Sequence, residues 1–212
     1  MIKKNLKKII ITSIIILLPI LVGAIIWDKL PEQVATHFGI NGEADGYSSR
    51  LFAVIGMPLI MLALHIVCLV ATSLDPKSKN IGDKALNLVI WITPTISVVA
   101  CSVIYAAALG YSGNVGRIMC TFVGFLLIVI GNYLPKCRQN YTIGIKIPWT
   151  LNDEENWNKT HRFAGVLWVI CGVLTLVSAL IGILWFFFVL LGVMLFAPII
   201  YSFLIYRKKK QP

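Results

Sequence analysis

Apolar runs of about twenty residues recur along the whole chain, separated by short polar segments. Six spans can be placed, at roughly 9–27, 51–72, 86–109, 117–134, 163–182 and 184–206. Each is near the ~20 residues that a helix needs to cross a hydrocarbon core. The last two form one apolar block from Phe163 to Tyr206, about twice too long for a single crossing at a rise of ~1.5 Å per residue. A tight hairpin near Leu180-Ile181-Gly182-Ile183 is expected to divide it. The predicted fold is all-α: a polytopic membrane helical bundle of about six transmembrane helices. Pro58, Pro94 and Pro198 fall within spans and predict kinks, which bundles tolerate.

Composition agrees with this pattern. Of 212 residues, 58% are hydrophobic and 13% charged, against about 25% charged in a soluble domain. Mean hydropathy is +0.84. The Lys-rich start followed by Ile9–Trp27 exceeds the roughly 7–15 apolar residues of a signal peptide. Val22-Gly23-Ala24 is a poor cleavage site, so an uncleaved first helix is expected. The five cysteines, at 68, 101, 120, 137 and 171, include no CxxC pair and none in the first external segment. Neither a structural disulfide nor a cysteine metal site is expected, and no cofactor is indicated.

Charge orients the bundle. With the N-terminus inside, 16 of the 19 Lys and Arg residues fall on the inner side, leaving Lys29, Arg50 and Arg117 outside. The positive-inside rule therefore predicts both termini in the cytoplasm. The net charge of +10 then reflects topology and anionic lipid, and does not indicate direct nucleic-acid binding. Residues 1–72 are expected to form two spans around an extracytoplasmic module at 28–50. Residues 73–116 carry the third span, 117–206 the remaining spans with a cytoplasmic loop at 135–162, and 207–212 a basic tail.

Two polar segments carry more vocabulary than a connector needs. The outer one, Asp28–Arg50, loosely alternates through Val34-Ala35-Thr36-His37-Phe38 and then has Asn41-Gly42 and Asp45-Gly46 turn signals. A small hairpin or Ω-like turn is expected there. His37, Glu43 and Asp45 are a weak metal set, and a solvated turn is the simpler reading.

The inner segment begins with Pro135, where a helix should stop. Gly144 and Pro148 favour an extended or turning path. A helix is expected to start at Thr150, with Thr150-Leu151-Asn152-Asp153 as a capping box and Asp153, Glu154 and Glu155 in the first turn. Trp157, His161 and Ala164 should share one face of that helix, which runs into the fifth span. Tyr141, Trp149 and Trp157 also suit a membrane interface.

Asp153, Glu154, Glu155 and His161 could serve acid–base chemistry, but no nucleophile elbow, HExxH pair or intramembrane acid accompanies them. His65 is the one ionisable residue well inside a span, and hydrogen bonding to a neighbouring helix is an equally good account of it. A small transporter or channel-like protein remains the alternative from another class, although no inverted repeat is visible.

Taken together, the two segments resemble the SdpI family of bacterial membrane proteins. The inner motif is Gly131-Asn132-Tyr133-Leu134-Pro135, then Asn140, Gly144-Ile145-Lys146, Pro148-Trp149-Thr150-Leu151, Trp157 and Thr160-His161-Arg162. The outer one is Leu30-Pro31, His37-Phe38, Gly42 and Asp45-Gly46-Tyr47. One departure stands out: Lys146-Ile147 replaces the family's Arg-Thr, and Lys lacks the planar fork of Arg. The resemblance implies immunity to a secreted, membrane-acting toxin peptide. It further implies capture of a small winged-helix repressor at the membrane. The inner residues, from Asn132 to Arg162, would then meet the repressor, and Pro31, His37, Phe38, Gly42, Asp45, Gly46 and Tyr47 the outside.

Overall fold

The computed structural model describes residues 2–39, 42–111 and 113–210. Asn41 of the expected turn and the last two residues of the basic tail lie outside them. Among the described residues, six helices are long and apolar enough to cross a membrane: Lys4–Ile25, Phe52–Ser73, Asp83–Ala108, Val115–Lys136, Glu154–Ile181 and Phe186–Lys210. Large apolar side chains such as Ile25, Leu64, Leu180 and Phe196 are exposed along them, as a lipid-facing surface requires. The chain divides into two compact units, Met1–Ser73 with Asn87–Gly116 and Leu74–Leu86 with Arg117–Pro212.

The first unit holds α1 (Ile2–Ile25), the strands β1 (Gln33–Phe38) and β2 (Ala44–Ser49), α2 (Met57–Ser73) and most of α3 (Asp83–Ala108). The strands pair antiparallel, with Ala35 opposite Tyr47 and His37 opposite Gly46, so the expected hairpin is present. It is seated by Leu30 and Val34, which are buried with Ala53, Val54, Cys101, Ile104 and Tyr105. Three polar groups inside this unit are paired across helices. The Tyr105 hydroxyl donates to Pro19 O at 3.1 Å and Ser97 Oγ to Ile16 O at 3.2 Å. His65 is fully buried, and its Nε2 lies 3.1 Å from Thr12 Oγ1 on α1, a neighbouring-helix bond of the kind that one of its two readings calls for. Pro58 sits at the second position of α2, just after a π-helical turn, Phe52–Gly56. A π turn pairs each carbonyl with the residue five on.

The second unit holds α4 (Val115–Tyr133), α5 (Pro148–Leu151), α6 (Glu154–Ile181) and α7 (Phe186–Lys210). Helices α4 and α6 cross on glycine. A Cβ on Gly131 would lie 2.8 Å from Val169 N and 2.9 Å from Gly165 O. One on Gly172 would lie 2.8 Å from Gly124 O. Small residues let backbones approach this closely where no hydrophobic effect draws helices together. The apolar block splits where expected: Gly182 adopts φ 83° and ends α6, while Ile183 N returns to Ser178 O at 2.9 Å. In α7, Pro198 cannot donate to Met194 O, and the Trp168 indole takes that carbonyl at 3.3 Å.

Candidate functional site

Both ends of loop 135–153 are fixed by helices of the second unit. A short 3-10 turn at Leu134–Lys136 closes α4, and Pro135 packs over Gly165, where a Cβ would lie 2.5 Å from the proline ring. The far end is capped by Asp153, which accepts from the amides of Glu155 at 3.0 Å and Asn156 at 3.2 Å. The expected capping box therefore shifts: the N-cap is Asp153, not Thr150. Thr150 turns inward because its hydroxyl has nearer partners. It accepts from Ile147 N at 3.1 Å and donates to Ile145 O at 2.8 Å, which fixes the short α5 behind Pro148.

Trp157, His161 and Ala164 share a buried face of α6, as expected. The Trp157 indole donates to Cys137 O at 2.7 Å. Ile145 N donates to His161 Nε2 at 3.0 Å, so the proton sits on Nδ1, which donates to Trp157 O at 2.8 Å. Gly144 passes over these rings with φ 121°. A Cβ there would collide with His161 Nε2 and lie 3.1 Å from Trp157.

The middle of the loop is held by Asn140, named from sequence, and by further residues that sequence reasoning did not single out. Asp75, in the α2–α3 connection, accepts from Thr142 Oγ1 at 2.6 Å, Tyr141 N at 2.8 Å and Lys77 N at 2.7 Å. Burial opposes its charge. The Thr142 hydroxyl and the amides of Lys77, Tyr141 and Thr142 outweigh burial and hold the carboxyl below the usual carboxylate range. Asn140 uses its whole amide locally, donating to Arg138 O and Ile143 O and accepting from Thr142 N and Ile143 N. Gln139 donates to Thr150 O and Leu151 O, accepts from Lys77 Nζ, and offers its own carbonyl to Asn80. On α6, Asn156 donates to Ser202 O at 3.0 Å and accepts from Ser202 Oγ and Thr160 Oγ1.

The fourteen inner residues named from sequence thus separate into a frame and a face. Asn140, Thr150, Trp157, Thr160 and His161 are buried and out of a partner's reach; they build the loop. Asn132, Pro135, Lys146, Pro148 and Arg162 are exposed, with Tyr133, Gly144, Trp149 and Leu151 half-buried. Trp149 stacks on Tyr206 at 6.0 Å and meets Phe203 edge-on at 5.5 Å. Its indole nitrogen is buried without a hydrogen-bond partner, beside a cavity of about 270 Å³ lined in part by Tyr206 and Lys209.

Three of the acid–base groups are already engaged. Asp153 pairs with Lys209 at 2.7 Å, and Glu155 with Lys159 and Lys209 at 2.6 Å each. The hydrogen bond from Lys209 is the main reason that Asp153 is held below the usual carboxylate range. Both nitrogens of His161 are bonded to main chain, while Glu154 is exposed on the first turn of α6. Asp75 and Gln139 had a faint signal in sequence, as an acid and a glutamine among basic residues. The glycine crossing had a clearer one, because Gly124/Gly131 and Gly165/Gly172 each repeat after seven residues.

In the hairpin, His37 Nδ1 lies 2.5 Å from Asp45 Oδ1, and Thr36 Oγ1 bonds Ser48 Oγ at 2.9 Å. Pro31, His37, Asp45 and Tyr47 are exposed, and Phe38, Gly42 and Gly46 half-buried. Gly42, at φ 80°, approaches Asn114 and Gly116 so closely that a Cβ would lie 2.6 Å from Asn114 Oδ1. Among the described residues, no three His, Cys, Asp or Glu side chains gather as metal ligands would.

Residues 136–202 match the SdpI/YfhL protein family, and residues 14–62 match a domain of unknown function, DUF1648. The immunity protein SdpI of Bacillus subtilis (strain 168) is 33% identical over 170 residues, which covers 79% of this chain and 79% of that protein. No solved structure matches.

Proposed function

The chain belongs to the SdpI family, and from that premise we propose that this multi-pass cell-membrane protein confers immunity to a secreted toxin peptide and also holds a cytoplasmic repressor at the membrane. The reading places both termini and loop 135–153 on the cytoplasmic side, in line with the basic residues of the α2–α3 connection, the loop and the tail. The β1–β2 hairpin then lies outside, where His37, Asp45 and Tyr47 face the toxin. The observation that carries the proposal is the ordered inner loop. A dense set of buried hydrogen bonds to Asp75, Asn140, Thr150 and His161 holds a fixed outer face of Lys146, Pro148, Trp149 and Arg162. A pre-formed face spares the ordering entropy that a flexible loop would lose on docking. A catalytic role is disfavoured, because Asp153, Glu155 and His161 are occupied in structural bonds.

The test has two readouts in one strain. Survival of a sensitive cell expressing the protein is measured against the toxin peptide, and co-sedimentation of the co-expressed repressor with membranes is measured alongside. Lys146→Glu with Arg162→Glu is expected to abolish co-sedimentation and spare survival. Full killing of cells expressing the unaltered protein would rule out immunity. Repressor capture unchanged in the double variant would rule out this face.

A further inference from the structure

Two segments of the second unit, the α2–α3 connection and the end of α4, enclose a cavity of about 350 Å³ whose walls include Lys79, Lys84, Lys136 and Arg138. They are held together by Asn80 donating to Gln139 O at 2.8 Å and by Lys77 Nζ on Gln139 Oε1. Asp83 is the one carboxylate in the lining, which leaves a surplus of three positive charges. Among the described residues, none of the four cations is ion-paired with a carboxylate. Lys136 leans instead over the ring of Tyr133, 5.3 Å from its centre, and Tyr133 lines the same cavity.

Four cations gathered around one concavity repel one another, and at separations below the Debye length of ~8–10 Å salt screens them only in part. An anion relieves that repulsion. The cavity is of a size that small-molecule sites have, ~300 Å³ or more. Lys84 lies in the first turn of a spanning helix and Lys136 at the end of another, at the depth of lipid headgroups.

We infer that this cavity is a binding site for a phosphate-bearing anion, with the phosphodiester headgroup of an anionic lipid as its source. The lysines supply compact charges, and Arg138 supplies the planar fork that grips phosphate in two places. The Tyr133 ring walls one side. Basic pockets at helix ends are a recurrent solution for anionic headgroups. The inference does not depend on the toxin or the repressor.

Native mass spectrometry of the full-length protein, after incubation with phosphatidylglycerol or phosphatidylcholine, counts retained lipid. In parallel, inorganic phosphate is titrated against delipidated protein. Phosphatidylglycerol is expected to be retained over phosphatidylcholine. Lys136→Gln with Arg138→Gln should lower that retention roughly thirtyfold, at about fivefold per charge removed. Lys7→Gln with Lys208→Gln removes the same charge elsewhere and should leave retention near the unaltered level. If the cavity pair does not fold, Lys84→Gln alone serves, with the single-charge effect. Phosphate binding that is lost in the cavity variant, without lipid preference, keeps the site and makes its ligand a soluble anion. Retention that ignores the cavity variant, or that falls equally in the distant one, overturns the inference.

Discussion

The imidazole of His161 stacks on the indole of Trp157 one helical turn earlier, with ring centroids 4.0 Å apart and planes 20° from parallel. Both rings bind main chain of the loop that crosses them, at Cys137 O and Ile145 N. A helix inside the bundle thereby dictates the path of a segment outside it.

Gly144→Ala tests that path. The new methyl would strike His161 Nε2 at a φ of 121°, a conformation that costs a non-glycine residue about 1–3 kcal/mol. The expected outcome is faster amide exchange and protease cleavage across residues 138–150, with spanning helices still protected.

Asp75 makes the loop sensitive to acid. Its carboxyl titrates lower in the folded protein than in the unfolded chain. The stability it contributes is therefore complete above the ordinary carboxylate value and is lost as pH falls through the lower, folded value. Exchange protection of the Tyr141 and Thr142 amides, corrected for intrinsic rate, should decline over that window. Asp75→Asn removes an acceptor from buried donors, at a cost of about 1–3 kcal/mol, and should flatten the dependence.

Gly131→Ala places a methyl 2.8 Å from Val169 N, a backbone atom that cannot rotate away. Overpacking of this kind costs about 1–3 kcal/mol, visible as a lower Tm in detergent. Gly192 in α7 meets nothing within 4 Å, so Gly192→Ala should melt at or above the unaltered temperature. Equal losses at both positions would count against the α4–α6 crossing.

Trp149→Phe keeps an aromatic ring against Tyr206 and removes a donor that has no partner. A buried orphan costs about 1–3 kcal/mol, so thermal stability should hold or rise. If the repressor supplies the missing acceptor, its co-sedimentation should fall in the same variant. A stable protein with undiminished capture would take Trp149 off the docking face.

Hydropathy alone located the six spans and the break at Gly182, because helix length and the left-handed cap are local properties. The hairpin was legible for the same reason, through alternation and its turn residues. The face shared by Trp157, His161 and Ala164 followed from helical spacing. The contacts that fix the loop were not legible. Asp75 and Thr142 are 67 residues apart in sequence, and no local pattern announces that one will seat the other. Thr150 misled because its sequence context fits a cap. Asp153 is nearer the amides that need one, while Thr150 is claimed by Ile145 and Ile147.

Asn156 bears on how the last two helices can move. Its amide grips both the carbonyl and the hydroxyl of Ser202, and both residues are fully buried. Sliding α7 by one turn, about 5.4 Å, would strand that amide where no water can replace the lost partners. The two helices are therefore held in one register at this level. Their register is thus pinned three residues from Asp153, the cap on which the loop is hung.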